Sequence, residues 1–147
     1  MSQYFHNSVF DLYLEKSQIP NGGLGVFTRD VIPPNTLIDE YKGEKSRFGG
    51  AYVLEISDTY RVDARDYPRC YMAMLNDCSF IAKKTVRKKK RRVDITPAAY
   101  YNAENNPLEI NCEFVFDTEN NRAYVYSIHE IKPNSELFVS YGEDYWK

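Results

Sequence analysis

The chain has 147 residues, 43% hydrophobic and 27% charged, with a formal net charge of −2. That length closes one hydrophobic core without disulfide staples, and the near-neutral balance excludes a fold that is basic throughout for gripping nucleic acid. Cys70, Cys78 and Cys112, taken with His6 and His129, form neither a disulfide framework nor a zinc site of familiar spacing. No apolar run has the length of a signal peptide core or a membrane span, so a soluble, intracellular, single-domain protein with reduced thiols is expected. Thirteen tyrosines against one tryptophan suit amphipathic clefts, although tyrosine is also an ordinary strand residue.

Phe10 to Lys16 alternates apolar and polar residues as a half-buried strand does. Pro20 to Phe27 is a turn cluster opening into a second strand. Its glycines serve a tight turn, or let a ligand approach the main chain closely. Pro33-Pro34 blocks a following helix, which removes a dinucleotide-binding reading. Val31 to Thr36 turns into the strand Leu37–Tyr41, ended by Gly43. Ala51–Ile56 and Tyr60–Val62 pair as a hairpin across Ser57-Asp58-Thr59. Asp63 to Leu75 is the one expected helix, regular from about Pro68, with Tyr71, Met74 and Leu75 on one face.

Lys83 to Arg92 holds nearly half of the chain's 19 lysines and arginines. Like charges at that density repel, so an exposed loop is expected, either simply solvated or serving nuclear import, nucleic-acid phosphate or an acidic protein. Asp94 to Glu109 is polar and Asn-rich, and extends this insertion over about 79–109. Strands resume at Ile110–Phe116 and, past a turn, at Ala123–Ile128. Ile131 to Ser135 then repeats the turn chemistry of Val31 to Thr36. Glu136 to Tyr141 is an apolar strand running into Tyr141-Gly142, followed by Glu143, Asp144, Tyr145 and Trp146. Many short strands, one or two short helices and no parallel βαβ unit make the chain β-rich.

Taken in order, these stretches resemble one family. Gly23-Leu24-Gly25-Val26-Phe27 is similar to an opening Gly-x-Gly-hydrophobic-Phe motif, and Leu37 to Glu44 to a strand of the form hydrophobic-x-Glu-Tyr-x-Gly-Glu. Tyr60 to Ala64 resembles the strand entering a central helix, and Met72 to Asn76 a helix ending in Asn-His. Asn111-Cys112 resembles Pro-Asn-Cys, and Glu136 to Gly142 the pattern Glu-Leu-x-x-x-Tyr-Gly. Each motif is weak alone; together, over nearly the whole chain, they resemble the SET-domain lysine methyltransferases. The compact SET proteins of large DNA viruses look closest, because they also end soon after this aromatic and acidic tail.

The resemblance implies small twisted sheets with a C-terminal pseudoknot, S-adenosyl-L-methionine on one face and a substrate lysine on the other. Methyl transfer to an amine is an in-line displacement, so alignment and desolvation are what such a protein supplies. By resemblance, Tyr41 and Tyr141 are the catalytic pair framing the channel, with Tyr141 orienting the amine. Gly23, Leu24, Gly25, Asn76, Asp77, Tyr141 and Trp146 are implied on the cofactor side. Tyr41, Val139 and Tyr145 are implied on the lysine side, the small Val139 leaving space for an amine already methylated.

The chain departs from the family's pattern in three places. Asp77 stands where histidine is usual and, ionised, accepts but does not donate. Ala73 replaces an arginine, and Asn111-Cys112 lacks its proline and lies beyond the basic insertion. These changes fit a divergent enzyme or a silent module that holds a peptide as an added strand. Simpler roles stand beside the functional ones: Tyr41 as a strand residue, Asn76 as a helix cap, Cys78 and Cys112 as core residues, His129 as a surface residue. The expected partners are a protein substrate with a histone tail leading, nucleic acid or a nucleosome at Lys83–Arg92, and a second copy completing the groove. A nuclear location and no membrane contact are expected.

Overall fold

Strand-forming residues in runs of about five, punctuated by Gly, Pro and Asn, build the chain from short extended pieces. The computed structural model describes residues 3–87, 90–97 and 100–142, with only the main chain at 80–87 and 90–97. Its first strands are β1 (Tyr4–Phe5), β2 (Leu12–Lys16), β3 (Leu24–Thr28), β4 (Leu37–Tyr41), β5 (Glu44–Ser46), β6 (Val53–Ser57) and β7 (Tyr60–Asp63). β8 (Arg69–Cys70) enters a short 3-10 helix, Tyr71–Met74. After it come β9 (Phe80–Arg87), β10 (Lys90–Pro97), β11 (Cys112–Asp117), β12 (Arg122–Ser127) and β13 (Ser135–Glu136).

Three small sheets, ordered β13-β3-β2, β11-β12-β4 and β5-β7-β6, carry the fold. Val26, Ile38, Val62, Val125 and Leu137, drawn from the strands and from the residue after β13, meet in one core with Met72 and Leu75. Each such side chain contributes roughly 1.5–3 kcal/mol when fully buried. The two look-alike turns lie against each other. Ile32 and Ile131 exchange a pair of main-chain hydrogen bonds, both 2.9 Å. Asn35 and Asn134, each at φ near 60° (54° and 64°), take the left-handed conformation that asparagine tolerates.

Two expectations fail. The helix expected from Asp63 to Leu75 shrinks to the single turn Tyr71–Met74. Arg69 and Cys70 instead pair in parallel with Tyr4 and Phe5, and the Arg69 N–H donates to Gln3 O at 2.8 Å, which claims a group that a helix would have used. The basic run is strand in its described main chain, at 83–87 and 90–92. β9 and β10 form a regular antiparallel ladder from Phe80 opposite Pro97 to Arg87 opposite Lys90. The run's charge argued for a loop, but its interleaved Thr85, Val86 and Val93 favour strand.

Residues 136–141 thread through the molecule. Leu137 N–H donates to Val26 O at 2.8 Å, Val139 N–H to Asn76 O at 3.1 Å, and Cys112 N–H to Phe138 O at 2.9 Å. The segment thus runs between 76 on one flank and 112 on the other, which is the expected knot. Asn111 closes it with a side chain that imitates a peptide group: its Nδ2 donates to Glu136 O at 2.9 Å and its Oδ1 accepts from Phe138 N–H at 2.8 Å. A second small core of Ile19, Cys78 and Phe138, with Tyr100, Leu108 and Ile110 against it, packs on the knot.

Candidate active site

A cleft of about 940 Å³ opens where these pieces meet. Gly22 to Leu24, the 51–55 segment entering β6, the 3-10 helix with Asn76, β11 and Tyr141 all contribute to its walls. Tyr41, at the end of β4, is nearly buried and meets the Phe114 ring edge-on, with centroids 6.1 Å apart. Its hydroxyl donates to Tyr52 O at 2.5 Å. Burial first, then the nearby Cys70, pushes its phenol far above the ordinary value, and Tyr141 adds to the same effect. Tyr41 is therefore a neutral phenol at any working pH, a hydrogen-bonding group and not a base.

Tyr141 leaves the knot beside it. Its hydroxyl donates to Leu75 O, and its N–H donates to Asp77 Oδ2 at 2.9 Å. Both phenol protons go to main-chain carbonyls. A phenol that donates in this way meets a further neighbour with its oxygen, as an acceptor. An amine oriented by Tyr141 would therefore donate to the phenol oxygen.

Asn76 bridges two parts of the site. Its Nδ2 donates to Leu24 O at 3.0 Å and to Glu136 Oε2 at 3.3 Å. It is not the helix cap, since that position falls on Leu75. Gly23, at φ +66°, has a left-handed conformation with open space where a side chain would stand. Leu24 is exposed at the cleft wall. Gly23 and Leu24 thus both lie at the cleft wall, where the family resemblance implies the cofactor.

Other expected site residues lie elsewhere. Gly25 is buried behind the wall, and a Cβ there would overlap the Glu136 carboxylate. That packing requires a glycine here. Asp77 is buried and does not line the cleft. Its Oδ1 accepts from Ser79 N–H at 2.8 Å and its Oδ2 from the Tyr141 N–H. An acceptor-only carboxylate is what two main-chain donors require, so this departure braces the knot behind Tyr141. Val139, expected at the channel, is buried in the main core and off the cleft. Threading encloses the extended chain on both sides, so Val139 packs in the core. Tyr145 and Trp146 lie outside the described residues, as do the side chains of Lys83–Arg92.

Three contributors escaped the sequence reading. Tyr52 holds Tyr41 through its carbonyl, which any residue type could offer, so no signal existed. Arg69 stacks its guanidinium 3.8 Å from the Tyr52 ring centroid and 4.6 Å from that of Tyr67, while Nε donates to Ala64 O at 3.1 Å. Such stacking fixes the segment that holds Tyr41. Glu136 was visible as part of the Glu-Leu pattern, but its partners depend on threading.

Among the described residues no three His, Cys, Asp or Glu side chains converge as a metal site. Among them, too, no helix is long and apolar enough to cross a membrane. A SET-domain family model matches residues 23–142, a span that contains the cleft and the knot. The chain belongs to the SET-domain family. The small sheets, the near absence of helix and the knotted terminal segment are those of a SET fold, and the family points to protein-lysine methyl transfer. No individual curated protein matches the chain.

Proposed function

We propose that this SET domain methylates a lysine side chain of a protein with S-adenosylmethionine as methyl donor, a histone tail being the leading substrate. One observation carries the reading: Tyr41 and Tyr141, from distant parts of the chain, share a single cleft with Asn76 and an open glycine turn. The cleft volume, about 940 Å³, is within the size of pockets that enclose whole ligands. Open space at Gly23, the exposed residue Leu24 and the polar Asn76 suit the amino-acid end of such a cofactor. When bound, it supplies an electrophilic methyl group on a sulfonium centre.

The chain's own residues then do three things. Tyr41, neutral and anchored by Tyr52 O, and Tyr141, anchored by Leu75 O, offer oxygen atoms that accept an amine N–H and fix the direction of its lone pair. Phe114 and Phe116 line the same cleft, and their rings exclude water from a neutral amine. Glu55 and Glu113 add exposed carboxylates to the lining, which favour a cationic peptide by charge complementarity. The basic run Lys83–Arg92 suits nuclear import and contact with nucleosomal DNA.

Transfer of label from radioactive S-adenosylmethionine to core histones and to cell extract, beside Tyr141→Phe, tests this. Labelled lysine that falls about 100-fold in the variant is expected, the usual scale for losing an orienting group at the reacting centre. Wild-type protein that binds peptide but neither binds nor uses the cofactor would replace the enzyme reading with that of a peptide-binding module.

A further inference from the structure

Among the described residues Glu136 is the most enclosed carboxylate, 2% exposed at the start of the knot. Every polar partner it has in the structure is a donor. Ser17 Oγ–H donates to Oε2 at 2.7 Å, Gln18 N–H to Oε1 at 2.9 Å, and Asn76 Nδ2–H to Oε2 at 3.3 Å. The missing side chain of Gly25 supplies the space in which the carboxylate lies. Its main chain is held independently, through pairing with Phe27 and through Asn111 on Glu136 O. The side chain is therefore not what keeps the segment in place.

We propose that Glu136 is a positioning residue for the cofactor end of the cleft, holding the Asn76 amide so that it braces Leu24 O and the glycine turn at the cleft wall. This rests on the function proposed above. The chemistry is one-directional. Leu24 O and an ionised Glu136 are both acceptors only, so they jointly dictate that Asn76 points its NH2 group at them. Ser17, on the same oxygen as Asn76, and Gln18, on the other, hold Glu136 at the turn joining β2 to β3. One carboxylate thus links Ser17 and Gln18 of that turn, Asn76 and the knot, and Asn76 carries the link to Leu24 O.

Glu136→Gln separates this role from general stability. The least costly placement of its new NH2 group is the Oε2 position, where the Ser17 hydroxyl can reverse and accept. Asn76 cannot do so without rotating its amide, and rotation removes its donor from Leu24 O. Ser17→Ala is the control: it removes a donor to the same oxygen, weakens the same network and leaves Asn76 untouched.

The test compares the wild type, Glu136→Gln and Ser17→Ala by two measurements. In nitrogen–proton correlation spectra without ligand, the Asn76 side-chain protons should be well separated and protected in wild type and Ser17→Ala, and averaged and exchanging in Glu136→Gln. By calorimetry, S-adenosylhomocysteine should bind Glu136→Gln about 10-fold more weakly, as loss of one oriented hydrogen bond implies, and Ser17→Ala within about 2-fold of wild type. Unchanged Asn76 protons in Glu136→Gln, or equal affinity losses in both variants, would overturn the proposal. Wild-type protein that fails to bind S-adenosylhomocysteine would instead overturn the methyltransferase reading, and the Asn76 spectra would still decide what Glu136 holds.

Discussion

Tyr41 and Tyr141 look interchangeable as phenols on carbonyls, yet their surroundings differ. Tyr41 is buried to 6% exposure, so Tyr41→Phe removes one of the two donors to Tyr52 O in a closed site and leaves the Ala64 N–H at 3.0 Å. Loss of about 1–2 kcal/mol in urea denaturation is expected, together with lost activity. Tyr141 is half-buried at the cleft, and its N–H bond to Asp77 survives the change to Phe, so activity should fall with a smaller change in stability. Equal stability losses in the two variants would contradict this division. The cysteines give a second check. Burial pushes the Cys78 and Cys112 thiols up to about 12, and burial raises Cys70 as well. At pH 8 about one Cys112 thiol in ten thousand is then ionised. Thiol reagents should modify the native protein very slowly and all three cysteines readily in denaturant; fast modification of native Cys112 would contradict its enclosure.

Short elements here are held by their neighbours more than by their own propensity. β2, β3, β4, the β6–β7 hairpin and the β11–β12 pair were readable from alternation and turn residues, because both signals are local. The 3-10 helix was misread as longer, since nothing local announces that Tyr4 and Phe5 will pair with Arg69 and Cys70. The β9–β10 ladder was misread as a loop, because charge repulsion was weighed above strand preference. Gly25 shows the same limit within one residue: its neighbour Glu136 is distant in sequence, so a turn or a ligand seemed its only reasons. Gly25→Ala should lower stability by about 1–3 kcal/mol through overpacking against that carboxylate, measured by urea denaturation. A neutral effect would show that Glu136 can move aside.

The identities of the two cleft tyrosines and of Asn76 were readable because they sit in recognisable patterns. Their supports were not, because Glu136, Asn111 and Asp77 find their partners only once the terminal segment has been threaded. That enclosure also sets a dependence on pH. Desolvation by burial raises the Glu136 carboxyl above its ordinary 4.5, against the lowering effect of its three donors. An acid raised on folding contributes stability that is fully present below its ordinary value and is lost as pH rises through the raised one. The stability of the wild type relative to Glu136→Gln should therefore improve as pH falls from 7 towards 4.5, which paired denaturation curves would detect. A flat or opposite difference would mean that the donors outweigh the burial.

Threading has a consequence for how the protein is made. Residues 136–142 leave the ribosome after both flanks they must pass between, 75–77 and 111–112. Until then Val26 O, Asn76 O and the Asn111 amide lack their native partners. The core faces that will cover Leu137 and Val139 are open at that stage, a condition that invites chaperones or aggregation. A nascent chain at this stage has Tyr41 but no Tyr141, so it has no assembled cleft. The cleft is assembled only when residues 136–141 have been drawn through.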